Sequence, residues 1–154
     1  MKVAIGCDAS GHALKNHVVE HLTRAGHEVI DMGWDGVDEA AYSATYARKV
    51  AHLIRDREAD RGVLICGTGI GISISANKVR GIRAAVCSEP FTARHTRQHN
   101  GSQIIAFGAF VVAPEMACAI TDAFLDAEFK GGIYTDRFNL IKRIEDEEYG
   151  PDVE

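Results

Sequence analysis

Short apolar runs alternate with helical patterns along almost the whole chain, and this alternation restricts the folds that the sequence can adopt. Five runs bounded by glycine or polar residues are typical of buried strands: residues 3–7, 28–32, 62–66, 82–87 and 103–107. Between them, apolar residues recur at helical spacing, as in Leu14, Val18 and Leu22. This repetition predicts an α/β fold, a Rossmann-like three-layer α/β/α sandwich with a five-stranded parallel sheet.

The remaining helices follow from the same pattern. Apolar spacing predicts a helix around residues 42–54, short helices at 70–79 and 89–99, and a fifth from Pro114 to about Phe129. Gly131-Gly132 then separates a C-terminal helix at about 134–148, which we expect to protrude from the sandwich. All 154 residues are expected to form a single domain, residues 1–154.

The composition is that of an ordinary folded protein. Hydrophobic residues make up 46% and charged residues 25%, which argues against disorder, and a formal net charge of −5 disfavours a nucleic-acid partner. The four cysteines, Cys7, Cys66, Cys87 and Cys118, lack the close spacing of a zinc or redox motif. Without a signal peptide or an apolar run of bilayer length, we expect a cytoplasmic protein with no membrane partner.

The glycine-rich segment after the third run is the strongest local signal. Cys66-Gly67-Thr68-Gly69-Ile70-Gly71 joins a buried strand to a helix, so its backbone N–H groups can approach an anion or an oxyanion. The spacing is not a dinucleotide fingerprint, and the segment lacks the lysine of a P-loop. A thiol at a helix N-terminus can act as a base. The alternative is a buried cysteine in a tight turn, and these residues leave both interpretations open.

Polar residues also follow the first strand, in the segment Gly6-Cys7-Asp8-Ala9-Ser10-Gly11. In a doubly wound fold this turn borders the crevice at the carboxyl ends of the strands, where ligands bind. Asp8 can take a proton or hold a sugar hydroxyl there. Alternatively, Asp8 or Ser10 caps a helix.

A basic segment precedes the fifth strand. Residues 78–97 contain five lysines and arginines against the single carboxylate of Glu89, which suggests an anionic substrate or a partner subunit, with a solvated surface as the alternative. His95 and His99 are four residues apart and share a helix face. We expect His99, at the helix end, to face the crevice and to titrate near neutrality. The His17 and His21 pair lacks a third ligand, so we expect no metal site there.

Five segments in this order carry a family resemblance: Gly6-Cys7-Asp8; Cys66 to Gly71 followed by Ala76-Asn77-Lys78; Gly81-Ile82-Arg83; Cys87-Ser88-Glu89-Pro90; and Arg97-Gln98-His99-Asn100. Together they resemble the type B ribose-5-phosphate isomerases, a superfamily that includes the galactose-6-phosphate isomerase subunits. The resemblance covers essentially the whole chain.

The resemblance implies a homodimer or a dimer of dimers with active sites at the subunit interface, so that the C-terminal helix at about 134–148 would pack on the partner subunit. It also implies an aldose–ketose isomerase that acts on a small sugar or sugar phosphate through an enediolate, without metal or cofactor. Cys66 would be the base that moves the proton between C1 and C2, Thr68 would stabilise the enediolate oxygen with the loop amides, and His99 would assist ring opening. The substrate-binding positions carried over are Asp8, Ala9, Gly67, Gly69, Ile70, Gly71, Asn100 and Arg137.

Several positions depart from the family pattern. The family has histidine at the position of Ala9 and arginines at those of Phe110 and Ile133, and Ala41-Tyr42-Ser43 replaces Asp-Tyr-Pro. Each missing charge-assisted bond removes about 1.5–3 kcal/mol of binding. The substrate therefore need not be ribose 5-phosphate: a shorter sugar phosphate, a hexose phosphate or an unphosphorylated sugar fits the altered pocket. The candidates to replace the lost partners are Ser10, His12 and Arg94.

A non-catalytic or hetero-oligomeric sugar-binding subunit, resembling the galactose-6-phosphate isomerase subunits, is the alternative function. The presence of Cys66, Thr68 and His99 together counts against it. Nucleotide binding is a weaker third possibility, because the glycine-rich segment follows the third predicted strand, whereas the dinucleotide fingerprint follows the first.

Overall fold

The computed structural model describes residues 1–37 and 42–150, so the altered position Ala41 lies outside the described residues. The strands are β1 (Lys2–Cys7), β2 (Glu28–Asp31), β3 (Arg61–Cys66), β4 (Ala84–Val86) and β5 (Ile104–Gly108). The helices are α1 (His12–Arg24), α2 (Ser43–Arg55), α3 (Ile70–Ala76), α4 (Pro90–His95), α5 (Pro114–Leu125) and α6 (Ile133–Tyr149). A 3-10 turn at Ala9–Gly11 precedes α1, and a π-helical turn at Thr96–Asn100 follows α4.

The five strands form the parallel sheet that the sequence predicts, and the structure gives their order as β2-β1-β3-β5-β4. The chain moves from β1 outward to β2 and then returns past β1 to β3, so the connections diverge between β1 and β3. At such a switch point, the loops after the neighbouring strands open a crevice at the carboxyl edge of the sheet. The loops that follow Cys7 and Cys66 therefore lie side by side.

Helices cover both faces of the sheet, because successive strand side chains point to opposite faces. On one face, Val63 and Ile65 pack with residues of α1 and α5 around Phe124. On the other face, Leu64 and Cys66 pack with residues of α2 and α3 around Ile72. These two buried clusters confirm the predicted three-layer sandwich.

Helix α6 lies outside these two clusters and has no buried residue. Gly131 and Gly132, with φ of +65° and +57°, separate it from the preceding segment. Its acidic end is held by Arg80, which donates to Asp146 and to the Gly150 carbonyl. None of the helices in the described part of the chain combines the length and apolar character that a membrane crossing requires.

Strand β4 is shorter than the predicted run at 82–87. It lies at the edge of the sheet, and among the described strands it pairs only with β5. The Arg83 N–H donates to the side-chain oxygen of Gln103 at 2.9 Å instead of to a strand neighbour, which ends the ladder at Ala84.

Candidate active site

Cys66 ends β3 with its thiol at the start of α3. The residue is only 6% exposed, and its sulfur accepts a hydrogen bond from the Gly69 N–H at 3.1 Å. Gly69 has φ of +81°, a left-handed conformation that glycine adopts without strain. The exposed Thr68 lies between them, with its hydroxyl 3.4 Å from the Ile70 nitrogen. Residues 66–71, which we call the thiol loop, thus bring a thiol, a hydroxyl and the N–H groups of a helix start to one place.

Two glycines allow the loop after β5 to lie against the thiol loop. A Cβ atom at Gly69 would lie 2.8 Å from the backbone of Phe107, and a Cβ atom at Gly108 would lie 2.6 Å from the Cα of Thr68. Across this contact the Ala109 N–H donates to the Cys66 carbonyl at 2.8 Å. The conformation of the thiol loop therefore depends on two strands, not on its own residues alone.

The turn after β1 packs on the strand that leads to Cys66. The Asp8 N–H donates to the Ile65 carbonyl at 3.3 Å, and a Cβ atom at Gly11 would lie 2.6 Å from the same oxygen. The Asp8 carboxylate accepts from the Gly11 N–H at 3.2 Å and caps the 3-10 turn, as the capping interpretation predicts. Asp8 remains half-buried at the crevice, whereas Ala9 and Ser10 are exposed.

Phe110 lies directly against the thiol loop. A ring carbon of Phe110 is 2.7 Å from the place that a Cβ atom at Gly67 would occupy, so the ring packs on the Gly67 Cα. The side chain nevertheless remains 78% exposed. An apolar ring therefore lies against Gly67 of the thiol loop, at the position where the family resemblance implies an arginine.

His99 lies in a stack of rings that begins on α4. Its imidazole stacks on Tyr134 with ring centroids 4.2 Å apart and ring planes 2° from parallel, and the His95 ring contacts it edge-on at 4.8 Å. The Arg137 guanidinium lies 5.5 Å from the centroid of Tyr134. Burial, together with the nearby charges of His95, Lys130 and Arg137, lowers the pKa of His99 below its usual value. The imidazole is therefore neutral at neutral pH.

His99 does not face the crevice of its own chain, and that prediction is wrong. Helix α4 starts at the carboxyl edge, and the chain must cross to the amino edge before β5 begins, so the π-helical turn lies at the amino edge. In the β3–β5 register, Gly62 pairs with Ile104 at the amino edge and Cys66 pairs with Gly108 at the carboxyl edge. These two pairs are four residues, or about 13 Å, apart along the strands. His99 precedes Ile104 by a further five residues.

The predicted site residues therefore form two groups. The carboxyl-edge group contains Asp8, Ala9 and the thiol loop with Cys66, Thr68, Ile70 and its three glycines. The amino-edge group contains His99, the adjacent exposed Asn100, and Arg137 on α6. The structure brings the members of each group together and keeps the two groups apart.

Several other sequence candidates have structural partners. His21 pairs with Asp122 at 2.8 Å, and His12 Nδ1 lies 2.9 Å from the Trp34 carbonyl oxygen. Within residues 1–37 and 42–150, no group of three or more His, Cys, Asp or Glu side chains could hold a metal ion. Burial raises the pKa of the Cys7 thiol and of the Cys87 thiol to about 11, so both remain protonated at neutral pH.

Tyr134 contacts the predicted site residue His99 but is not among the predicted site residues itself. It lies three residues before Arg137, and this spacing places both on one face of the C-terminal helix. That spacing is the available sequence signal. It becomes informative only when α6 is known to lie beside the π-helical turn.

Comparison with known proteins identifies close relatives of this chain. A family model described as Ribose/Galactose Isomerase matches residues 3–141. The chain is 49% identical over 144 residues to ribose-5-phosphate isomerase B of Escherichia coli (strain K12), covering 94% of this chain and 96% of the relative. It is 45% identical over 132 residues to D-erythrulose-4-phosphate isomerase of Pectobacterium atrosepticum, covering 86% and 87%.

A solved structure of ribose-5-phosphate isomerase B from Clostridium thermocellum has the same fold. It is 46% identical to this chain, superposes with a TM-score of 0.92, and the match covers 96% of this chain and 99% of that chain. The family resemblance that the motifs carry is thereby confirmed.

We predict that Gly69→Ala destabilises the protein more than the matched variant Gly26→Ala. The two glycines have φ of +81° and +84°, so each variant carries a left-handed backbone cost of about 1–2 kcal/mol. At Gly69 the new methyl group also meets backbone at 2.8 Å, whereas no atom of the described residues lies within 4 Å of a Cβ atom at Gly26. Urea unfolding followed by circular dichroism should show a further loss of about 1–3 kcal/mol for Gly69→Ala. Equal losses would contradict the close contact between the thiol loop and β5.

Proposed function

The chain belongs to the ribose/galactose isomerase family, and on this premise we propose that it interconverts an aldose phosphate and a ketose phosphate with Cys66 as the base. The thiol loop carries the proposal, because it holds the Cys66 sulfur beside the Thr68 hydroxyl and the N–H groups at the start of α3. The two relatives from Escherichia coli and Pectobacterium atrosepticum are both named as sugar phosphate isomerases.

The proposed proton transfer requires a base beside a carbon acid and hydrogen-bond donors at the neighbouring oxygen. The Cys66 thiolate removes the proton from C2 of the open-chain aldose, the C–H electron pair forms the C1–C2 double bond, and O1 takes the negative charge. The resulting thiol then protonates C1 while the proton on O2 passes to O1, which yields the ketose. The Thr68 hydroxyl and the N–H groups at the start of α3 stabilise the oxyanion. The Gly69 N–H stabilises negative charge on the sulfur.

Ring opening is assigned to His99 in this proposal. A neutral imidazole can accept the proton of the anomeric hydroxyl, after which the carbonyl forms at C1, the bond from C1 to the ring oxygen breaks, and the ring oxygen takes the proton from the imidazolium. The lowered pKa of His99 keeps the imidazole in this neutral form at neutral pH. Asp8 and Asn100 bind sugar hydroxyls, and Arg137 binds the phosphate as a charge-assisted donor.

We further propose that the two groups of site residues meet across two copies of the chain. On α6, Ile133, Arg137, Leu140 and Ile144 follow one another at intervals of four, three and four residues and therefore share a face. The three apolar members of this face are 53–61% exposed, which is unusual for a helix that remains free in solution. Arg137 lies in the middle of this exposed apolar face.

The carboxyl edge offers a matching surface. Four apolar side chains around the thiol loop are more than half exposed: Ile70, Ile74, Phe110 and Val111. A two-fold dimer that packs the partner's α6 against this surface buries both apolar sets and forms two equivalent sites. It also brings the partner's His99 and the partner's Arg137 to Cys66.

This chain offers the phosphate fewer cationic side chains than the family pattern provides. Phe110 and Ile133 are apolar and Ala9 carries no donor in its side chain, so Arg137 is the one family cation among these four positions. We propose that a sugar phosphate is still preferred over the free sugar, because a single charge-assisted contact contributes about 1.5–3 kcal/mol.

The proposed base is tested by deuterium exchange at C2 of ribose 5-phosphate in heavy water. Cys66→Ala should reduce exchange by about 10³-fold, because the methyl group of alanine cannot accept the proton. Cys87→Ala is the matched control, since the Cys87 thiol also follows a strand at the carboxyl edge but has a pKa of about 11. Undiminished exchange in Cys66→Ala would refute the assignment. The assignment would also be refuted if the wild-type protein catalysed no exchange with any four-, five- or six-carbon sugar phosphate or free sugar.

The place of Phe110 in the site is tested by restoring a cation. Phe110→Arg should lower the KM for ribose 5-phosphate by about tenfold, which corresponds to one charge-assisted bond. Phe110→Leu, which keeps an apolar side chain, should leave this KM nearly unchanged, and neither variant should improve turnover of free ribose. An equal effect of Phe110→Arg on the phosphorylated and the free sugar would show that Phe110 does not lie on the phosphate side.

A further inference from the structure

Aromatic side chains hold the His99 imidazole from two directions. Tyr134 of α6 covers one face at 4.2 Å, and the edge-on ring of His95 from α4 contacts it at 4.8 Å. The Nε2 atom of His99 is buried and has no hydrogen-bond partner within the described chain. A buried histidine nitrogen normally has such a partner, so an unpaired one requires an explanation.

Each of the two contacting rings is itself fixed by other groups. His95 stacks on Phe91 with centroids 3.9 Å apart, and its Nδ1 lies 3.0 Å from the Phe91 carbonyl oxygen. The Tyr134 N–H donates to the Gly131 carbonyl at 3.1 Å, and the Arg137 guanidinium lies over the Tyr134 ring. The orientation of His99 is therefore set by rings on two separate helices, and Nε2 takes no part in holding it.

We propose that His95 and Tyr134 are positioning residues that fix the orientation of the His99 imidazole for ring opening by ring contacts, without a hydrogen bond from Nε2 to its own chain. The inference rests on the proposed function in one respect, namely that His99 opens the sugar ring. Neither His95 nor Tyr134 needs to touch the substrate in this arrangement.

The groups that face His99 also determine its charge. They are His95 from α4, Lys130 from the segment before α6, and Tyr134 and Arg137 from α6. Burial of the ring opposes its protonation first, and the cationic groups add to this, so the pKa of His99 is lowered. A base works in its neutral form, above its pKa, so the lowered pKa extends the activity of His99 toward lower pH.

The first experiment follows the His99 imidazole by NMR across a pH titration and does not depend on activity. Tyr134→Phe keeps the stacked ring and should leave the pKa of His99 unchanged. Tyr134→Leu exposes one face of the imidazole, and His95→Phe removes a cationic group but keeps a ring, so each should raise the pKa toward its usual value. An unchanged pKa in both Tyr134→Leu and His95→Phe would overturn the proposal.

The second experiment separates positioning from a general structural role. Ribose 5-phosphate is cyclic, whereas ribulose 5-phosphate cannot close a five-membered ring because its O5 carries the phosphate. Tyr134→Leu should lower kcat/KM for ribose 5-phosphate by about tenfold while changing C1 proton exchange of ribulose 5-phosphate by less than about twofold. Tyr134→Phe, which keeps the ring, should have the wild-type values of both quantities. His95→Phe should move the acid limb of kcat/KM for ribose 5-phosphate to higher pH.

Each other outcome has a definite meaning. Equal losses with the cyclic and the open-chain sugar, or equal losses in Tyr134→Phe and Tyr134→Leu, would overturn the positioning role. A wild-type protein that turns over neither sugar would refute the proposed function instead. In that case the NMR titration alone would still show whether the neighbouring rings of His95 and Tyr134 set the pKa of His99. Thermal unfolding of each variant identifies any that fail to fold.

Discussion

All five strands run in the same direction, so their carboxyl ends lie at one edge of the sheet and their amino ends at the other. Cys66 is the last residue of β3, whereas His99 is on the turn that leads into the start of β5. The length of the strands, about 13 Å along the β3–β5 register, keeps the two groups of site residues apart. No change of side-chain rotamer spans that distance, and this is why the proposed reaction needs two copies of the chain.

The two edges are built in different ways. At the carboxyl edge, contacts among β1, β3 and β5 fix the thiol loop, with Gly69 and Gly108 permitting backbone approaches that no larger residue allows. At the amino edge, the rings around His99 depend on α6, which has no buried residue and is held largely by polar contacts near Arg80. A helix that buries little apolar surface gains little stability from its own chain. A partner that covers its apolar face would therefore also fix Tyr134 and Arg137.

Much of the fold can be predicted from the sequence, because buried strands and amphipathic helices have different periods. The thiol loop is equally visible, since glycines that alternate after a strand end predict a close backbone approach. The edge at which His99 lies depends instead on the path of the chain after β4, which the local helix pattern does not contain. The contacts of Tyr134 with His99 and of Phe110 with Gly67 join residues far apart in sequence, so they emerge only when the elements pack.

The most direct measurement mixes two variants that are each expected to be inactive, Cys66→Ala and His99→Ala. After joint unfolding and refolding at equal concentrations, half of the dimers contain one chain of each kind, and each of these has one site with both wild-type residues. Sites shared between two chains predict recovery of about a quarter of the wild-type isomerase activity. No recovery above the two separate variants would contradict the shared site and would require Cys66 and His99 to act within one chain.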